Sequence, residues 1–168
     1  MPLLETQRLS IRHLTEDDAP FILELLNEPA FIRFIADRGV RNLDDARKYI
    51  TNGPLVMYER YGFGLFAVEL KNSGVPIGMC GLLKRDSLED VDLGYALFER
   101  DWGKGYASEA AAAVIDYGRK QFGLKRIVAI TSRDNDASIH VLEKMGFRFE
   151  KLIRLPGEDE EINLFGLG

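Results

Sequence analysis

The sequence predicts one α/β (α+β) domain over residues 1–168, with a mixed, mostly antiparallel sheet of about seven strands and helices on both faces. Three observations predict this class. The length of 168 residues is typical of one domain, and 46% of the residues are hydrophobic, as in globular proteins. The element patterns follow the order strand, helices, three strands, helix, strand, helix and two strands, without long linkers. The run of three strands argues against a fully parallel sheet.

One strand and three helices are predicted in the first third of the chain. Residues 9–14 alternate between apolar and polar side chains, which is typical of a half-buried strand. The helices are indicated by N-cap residues, by a proline in the first turn and by a Gly-Pro stop. They run from Thr15 to about Asn27, from Pro29 to Phe34, and from Asn42 or Asp44 to Gly53-Pro54.

Six strands and two helices are predicted in the rest of the chain. Hydrophobic alternation and turn residues delimit the strands at residues 64–70, 76–83, 90–97, 126–131, 147–153 and 162–167. One helix covers residues 105–122, which are rich in alanine. The other covers residues 135–145, and Gly146 follows it in the usual C′ position.

Charge and composition exclude several classes of function. The net charge of −5 and the pI near 5.2 disfavour binding to nucleic acid and suit a cationic partner. The single cysteine, Cys80, cannot form an internal disulfide, and its apolar neighbours indicate a buried structural residue. Glu5 and Arg8 interrupt any signal-peptide core, and no apolar stretch is long enough to span a bilayer. We therefore expect a soluble, cytoplasmic protein without a membrane partner.

A glycine-containing turn between a predicted strand and a predicted helix carries the strongest functional signal. The strand ends at Leu97, and Gly103 and Gly105 precede the helix. The first amides of a helix have no intrahelical acceptor and lie at its positive end, so they can bind an anion. Glycine lets a ligand approach the backbone closely. The turn therefore predicts a diphosphate site, although an ordinary strand-to-helix turn also has this spacing.

Two other phosphate-binding motifs do not fit this turn. A P-loop requires serine or threonine after Gly-Lys, whereas Gly105 follows Lys104. A dinucleotide fingerprint requires a third glycine and an acidic residue about 20 positions further on. Residues 103–108 lack that glycine, and residues 123–126 offer no acid.

The motif Arg100-x-x-Gly103-x-Gly105 resembles the acyl-CoA signature of the GNAT N-acetyltransferase superfamily, Arg/Gln-x-x-Gly-x-Gly/Ala. Residues 102–110 are especially similar to the branch that contains the ribosomal-protein alanine N-acetyltransferases. Residues 6–12 resemble the opening strand of that branch, and residues 135–147 resemble its second signature helix. The resemblance extends roughly from Thr6 to Phe165, with three motifs in the right order.

The resemblance implies a GNAT fold with acetyl-CoA as cosubstrate and no metal. The strand at 90–97 is expected to splay away from the strand at 126–131, and the pantetheine arm to lie in that gap. Backbone groups, the Ser108 hydroxyl and the Asn135 side chain are expected to bind the cofactor, although Asn135 also suits a plain helix N-cap. The implied cofactor-binding residues are Tyr95, Ala96, Leu97, Arg100, Gly103, Lys104, Gly105, Tyr106, Ala107, Ser108 and Asn135.

The resemblance also implies direct attack of an amine on the thioester, without an acyl-enzyme, and the sequence has no Gly-x-Ser-x-Gly elbow. A base must take a proton from the ammonium, and we expect Asp92 or Glu89 to do so through a water molecule. A solvated strand charge is the alternative reading of Asp92. Glu109 is a rival, but its place in the first turn of a helix already explains an acidic residue. The expected donor to the thioester oxygen is a backbone amide near residues 93–95.

The expected proton donor to the leaving thiolate is Ser138. Many GNAT members have a tyrosine four residues before the Gly-Phe pair, but this chain has Leu142 there. The ribosomal-protein branch is thought to use a serine at the position of Ser138, and a helix serine facing solvent is the alternative. Tyr106 and Tyr117 are weaker candidates for the donor. His13 and His140, the only histidines, are interpreted as structural or surface residues.

The acceptor implied by the branch is the N-terminal amine of a protein. A small-molecule amine, such as a polyamine, an amino acid or an amino-sugar, stays open. Two other functions also stay open, namely a catalytically silent acyl-CoA-binding module and an unrelated nucleotide-binding regulator. Assembly as a homodimer is possible as well. The acidic run at residues 158–161 could attract a basic acceptor, but it is interpreted as a solvated hairpin loop. Core packing explains at least half of the aromatic residues that could line an acceptor slot, which are Phe31, Phe34, Tyr58, Tyr61 and Phe63.

Overall fold

The computed structural model describes residues 2–168 and shows one eight-stranded sheet in the order β1-β2-β3-β4-β5-β6-β8-β7. Its strands are β1 Leu4–Glu5, β2 Leu9–Arg12, β3 Leu65–Leu70, β4 Pro76–Leu83, β5 Asp92–Leu97, β6 Ile127–Thr131, β7 Arg148–Ile153 and β8 Ile162–Leu167. The only parallel pair among these strands is β5 with β6. The predicted mixed and mostly antiparallel sheet is therefore confirmed. The short strand β1 brings the count to eight instead of about seven.

Six α-helices accompany the sheet in the described part of the chain. They are α1 Ala19–Leu26, α2 Pro29–Phe34, α3 Leu43–Asn52, α4 Pro54–Tyr61, α5 Tyr106–Phe122 and α6 Asp136–Lys144. Thr15 is an N-cap as predicted, but its first turn, Glu16–Asp18, is a 3-10 turn that continues into α1. Asn42 caps α3 by accepting the amide proton of Asp45 at 2.8 Å.

The Gly53-Pro54 pair ends α3 as predicted, but it also begins α4, which the sequence prediction missed. Pro54 is the first residue of α4. Proline is well suited to the first position of a helix because its fixed φ is helical. The amide proton that proline lacks would have no intrahelical acceptor at that position. Gly62 ends α4 in the left-handed region, at φ 82°. A stop signal for one helix was thus also the start of the next.

Helices cover both faces of the sheet, as predicted, and the strand alternation explains how. On β3, Phe66 and Val68 pack in the core cluster under α5. The intervening Ala67 packs in the second cluster, which α1 and α3 cover. Successive side chains of a strand point to opposite faces, so one strand serves both layers. Cys80 is fully buried in the α5 layer, and this burial raises the pKa of its thiol.

The sheet opens between β5 and β6, which is the predicted splay. Only Asp92 and Val128 stand opposite each other in this parallel pair, and the Val128 amide donates to the Val91 carbonyl at 3.0 Å. Beyond that point β6 pairs with β8 along its whole length, from Ile127 to Thr131. The edge of β5 that faces β6 is therefore left open beyond Asp92, and this opening positions the site.

Candidate active site

A cavity of about 880 Å³ begins in the opening between β5 and β6 and extends to α2 and the loop after it. It contains most of the residues that the sequence predicted as functional. Those in its wall are Asp92, Tyr95, Ala96, Leu97, Gly103, Gly105, Tyr106, Ala107, Ser108, Asn135 and Ser138. The fold thus brings the predicted cofactor-binding turn, one predicted base and the predicted proton donor to one place.

Three predicted side chains lie outside this cavity wall. Glu89 is exposed in the loop between β4 and β5. The Arg100 guanidinium lies 4.3 Å from the centre of the Phe98 ring. The Lys104 ammonium lies 3.7 Å from a carboxylate oxygen of Asp101. Of the two carboxylates predicted as the base, the structure therefore places only Asp92 in the cavity.

The turn before α5 presents unpaired backbone amides to the cavity. Gly103 and Gly105 have φ values of 75° and 84°, a region that favours glycine over residues with a Cβ atom. Gly105 is the N-cap of the 17-residue helix α5 and supplies no side-chain cap. Within residues 2–168, the amides of Gly103, Lys104 and Gly105 have no protein acceptor. Free amides at the positive end of a long helix form an anion-binding site.

An ion-paired clamp from the start of the chain holds this turn. Arg8 donates from Nη1 to the Lys104 carbonyl at 2.9 Å and from Nε to Glu109 at 2.7 Å. Thr6 donates its hydroxyl to the same carboxylate, and the Arg8 guanidinium lies 4.4 Å from the centre of the Tyr106 ring. Burial acts to raise the pKa of Glu109, but the hydrogen bonds from Thr6 and Arg8 keep it below its ordinary value.

The clamp assigns Glu109 a structural task. Its carboxylate is committed to Arg8 and Thr6, and it is not part of the cavity wall. From the sequence alone, Glu109 was explained only by the favourable position of an acidic residue near a helix N-terminus. Arg8 and Glu109 are 101 positions apart in the sequence, so no local pattern predicts their contact.

We expect Glu109→Gln to raise the KM for acetyl-CoA about three- to fivefold with little change in kcat, because the partly exposed Arg8 pair stabilises the turn only modestly. Steady-state kinetics with acetyl-CoA as the varied substrate measure this. Glu59→Gln is a matched control, since Glu59 is exposed on α4 and has no ion pair in the described chain. An unchanged KM in Glu109→Gln would show that the clamp does not order the turn.

The opening itself has polar groups that fit an extended amide-containing arm. Ser132 follows β6, lines the cavity and has a buried hydroxyl oxygen without a partner in the described chain. Trp102 donates its indole proton to the Leu97 carbonyl at 3.0 Å, so that predicted backbone acceptor is already engaged. An unpaired buried hydroxyl is costly unless a ligand or water completes it. Ser132 is therefore a further candidate for ligand binding, which the sequence analysis did not include.

Asp92 is a buried carboxylate, with only 1% of its surface exposed. The reading of Asp92 as a solvated strand charge is wrong, because the helices α1 and α3 cover the face of β5 that carries it. Arg85 donates from Nε to Asp92 at 3.2 Å. Burial raises the pKa of Asp92 to about 6, although the charge of Arg85 acts in the opposite direction. A carboxylate with that pKa is ionised at neutral pH and can accept a proton.

A tyrosine and a serine meet on the other wall of the opening. The Tyr95 hydroxyl lies 2.7 Å from the Ser138 hydroxyl oxygen and 3.2 Å from the Ser138 carbonyl. Burial raises the pKa of Tyr95 to about 12, so the phenol keeps its proton at neutral pH. Leu142, at the position where many GNAT members have tyrosine, is fully buried in the core. In this chain the phenol at the opening therefore comes from strand β5, through Tyr95, and not from the Leu142 position on α6.

The remaining candidates occupy less informative positions. Asn135 caps α6, since its Oδ1 accepts the Ser138 amide proton at 3.2 Å. Tyr117 packs against Phe66 and Phe122 in the aromatic core. His140 lies in the cavity wall, whereas His13 stacks edge-on against Tyr58. Asn135 thus has the N-cap role that the sequence left open, whether or not it also contacts a ligand.

The arrangement combines the parts that acyl transfer to an amine requires. It has an anion cradle at the N-terminus of α5, an open strand edge, a buried carboxylate and a hydroxyl pair in one cavity. Within residues 2–168, no cluster of three or more potential metal ligands is present. The helices of that range are too short or too polar to cross a membrane.

Comparisons with known proteins agree with this geometry. A family model described as an acetyltransferase (GNAT) domain matches residues 8–148. The uncharacterized N-acetyltransferase YoaA of Bacillus subtilis (strain 168) is 30% identical over 154 residues, which cover 91% of this chain and 86% of YoaA.

Solved structures show the same fold. An acetyltransferase from Agrobacterium tumefaciens str. C58 is similar with a TM-score of 0.85 and 26% identity, over 100% of this chain and 95% of that one. RimL, a ribosomal alpha-N-protein acetyltransferase in complex with coenzyme A, has a TM-score of 0.84 and 19% identity. That similarity covers 99% of this chain and 97% of RimL.

Proposed function

The chain belongs to the GNAT acetyltransferase family and is an acetyl-CoA-dependent N-acetyltransferase, and from this premise we propose that it acetylates the N-terminal amine of a protein. One observation supports acetyl transfer at this site, and the choice of acceptor rests on the similarity to the ribosomal-protein acetyltransferases. The buried carboxylate of Asp92 and the unpaired amides before α5 lie in the same cavity, at the place where β5 and β6 separate. The opening between β5 and β6 therefore connects a proton acceptor with a diphosphate-binding turn, and it suits the pantetheine arm that carries the thioester.

The cradle residues bind and orient the acyl donor. The unpaired amides of Gly103, Lys104 and Gly105 hold the diphosphate, with the Ser108 hydroxyl beside them, so this role does not depend on the Lys104 side chain. The amides of Asp101 and Trp102 are excluded from the predicted set, because they already donate to backbone carbonyls. Backbone groups of Tyr95 and Ala96, on the open edge of β5, pair with the pantetheine amides. The Ser132 hydroxyl, which has no partner among residues 2–168, is a further donor for that arm.

Asp92 prepares the acceptor amine for attack. An ammonium has no lone pair, so the carboxylate takes one proton from it through a water molecule before the new bond forms. The neutral nitrogen then attacks the thioester carbon directly. A backbone amide near residues 93–95 donates to the carbonyl oxygen as negative charge develops there.

Ser138 completes the reaction on the sulfur side. The C–N bond forms and the C–S bond breaks, so the sulfur leaves with the electron pair. The sulfur takes the Ser138 hydroxyl proton, and the nitrogen, which after attack carries one proton more than the amide product, returns a proton to the Ser138 oxygen. The Tyr95 hydroxyl lies 2.7 Å from the Ser138 hydroxyl oxygen, and with Tyr95 as the donor of this hydrogen bond the Ser138 proton can point at the sulfur. Tyr95 acts as a positioning residue, since it fixes the direction of the serine hydroxyl.

A protein N-terminus is the acceptor favoured by the similarity to the ribosomal-protein acetyltransferases, and a small-molecule amine is the alternative. A catalytically silent acyl-CoA-binding module is disfavoured, because Asp92 and the Tyr95–Ser138 pair are both present in the cavity. We propose that the reaction takes place in the cytoplasm. Homodimer formation stays a prediction of the sequence analysis.

Release of free thiol tests the proposed function. Purified protein is incubated with acetyl-CoA and a panel of peptides with free N-termini, N-terminally blocked peptides that contain lysine, polyamines, amino acids and amino-sugars. We expect thiol release with free N-termini and none with the blocked peptides. Release only with small amines would overturn the protein acceptor, and no release with any amine would overturn acetyl transfer itself.

Burial raises the pKa of Asp92 and Arg85 opposes this rise, so Arg85 affects the pH range of activity. The acidic limb of kcat/KM should report the pKa of Asp92, near 6, because the protonated carboxyl group cannot accept a proton. Arg85→Ala removes the charge that lowers this pKa, so we expect the limb to move to higher pH. Arg85→Lys, which keeps the charge, should move it less. Profiles for one acceptor measure this, and identical limbs in all three proteins would contradict the role of Arg85.

A further inference from the structure

The wall of the cavity that contains Asp92 includes three arginines. Arg33 on α2, Arg38 on the loop between α2 and α3, and Arg85 on the loop between β4 and β5 all line it. These arginines belong neither to the turn before α5 nor to β5 and β6, so we expect them to face the acceptor and not the acyl donor. The charge of this wall therefore bears on which amines the site accepts.

Two of the three arginines are already paired. Arg33 lies 3.5 Å from Asp134, and Arg85 lies 3.2 Å from the buried Asp92. Within residues 2–168, Arg38 has no hydrogen bond or ion pair from its side chain. One guanidinium at the cavity wall thus has its full donor capacity available.

A tyrosine lies beside this unpaired charge. Tyr49 of α3 also lines the cavity, and its hydroxyl has no hydrogen-bond partner in the described chain. Burial raises the pKa of Tyr49, and the positive charges of Arg38 and Arg85 counteract part of that rise. Both guanidiniums are therefore close enough to act on the phenol. Arg38, Arg85 and Tyr49 all belong to the wall of this cavity, and of their three donor groups only that of Arg85 is partly used.

We propose that the acceptor amine carries an anionic group close to the amine, and that Arg38 and Tyr49 bind this group beside Asp92. The proposal rests on the proposed function and specifies its substrate. The planar guanidinium of arginine matches a carboxylate or a phosphate with paired hydrogen bonds. For a protein acceptor, the matching chemistry is an acidic or phosphorylated residue at one of the first two positions.

The acidic residues of the cavity fit the other end of such an acceptor. Glu158, Asp159 and Glu160 line the cavity from the loop between β7 and β8, and all three are exposed. They attract the ammonium group, whereas Arg38 attracts the anion. A zwitterionic acceptor satisfies both, but a polyamine would place a second cation against the arginine wall.

Matched tripeptide amides test this inference. The series has alanine at the N-terminus and aspartate, phosphoserine, asparagine or lysine at the second position, with a second series that begins with aspartate or asparagine. Free aspartate and asparagine distinguish a small-molecule acceptor from a peptide. The variants are Arg38→Ala, Arg38→Lys and Tyr49→Phe. Arg47→Ala is the control, because Arg47 is exposed on the helix of Tyr49, pairs with Asp44 and is outside the described cavity wall.

We expect kcat/KM for an anionic acceptor to exceed that of its asparagine counterpart about tenfold, as for a charge-assisted hydrogen bond. Arg38→Ala should abolish this preference, Arg38→Lys should retain part of it, and Arg47→Ala should leave it unchanged. Equal rates for aspartate and asparagine acceptors, a preference for lysine, or a preference that survives Arg38→Ala would each overturn the proposal. Activity without any preference would still support the proposed function, whereas the absence of thiol release would contradict that function instead.

Discussion

Asp92→Asn is expected to lower kcat by about 10²- to 10⁴-fold, the usual contribution of a general base. Asparagine has nearly the same shape but cannot accept a proton at neutral pH. Exposed carboxylates also line the cavity, on the loop between β7 and β8, but they are not buried and paired with Arg85 as Asp92 is, so we do not expect them to replace it. The acidic limb of the pH profile should disappear together with the activity.

The measurement is kcat with a verified acceptor, at saturating acetyl-CoA. Glu89→Gln is the matched control, since it changes the other predicted base, which is exposed and outside the cavity wall. Circular dichroism and coenzyme A binding establish that Asp92→Asn is folded, because the substitution leaves Arg85 without its partner. An Asp92→Asn enzyme with wild-type kcat would show that the base is another group.

Ser138→Ala is expected to lower kcat about 100-fold, near the lower end for a general acid, because a thiolate leaves more readily than an alkoxide. Affinity for acetyl-CoA should change little, since the Ser138 side chain contacts Tyr95 and not the cradle. Tyr95→Phe should lower kcat less, because the serine proton remains but its direction is no longer fixed.

A second serine offers the contrasting result. Ser108 lies in the first turns of α5, at the cradle. Ser108→Ala should raise the KM for acetyl-CoA and leave kcat near the wild-type value. One set of steady-state measurements therefore distinguishes the effect of Ser138→Ala on kcat from the effect of Ser108→Ala on the KM for acetyl-CoA. A wild-type kcat in Ser138→Ala would reject the serine as the donor.

The cradle could be predicted from the sequence because its cause is local. A strand end, glycines at positions 103 and 105 and an alanine-rich helix follow one another along the chain, and the left-handed φ values confirm why glycine stands there. The same holds for the caps at Thr15 and Asn135. In each case the residues that interact are within a few positions of one another.

The catalytic surroundings could not be predicted in this way, because they depend on contacts between distant segments. The hydroxyl pair joins Tyr95 to Ser138, which are 43 positions apart. Alternation along β5 placed Asp92 on a polar face, but it could not show that helices cover this face and that Arg85 meets the carboxylate there. The same limit applies to the clamp between Arg8 and Glu109.

The most direct test of the account is calorimetric titration of the folded protein with coenzyme A and, separately, with pantetheine. The account predicts that one coenzyme A binds per chain and that pantetheine, which lacks the diphosphate, binds at least about tenfold more weakly, since charge-assisted bonds to backbone amides are lost. Equal affinities for the two ligands, or no heat with coenzyme A at millimolar concentration, would contradict the claim that the turn before α5 grips a diphosphate.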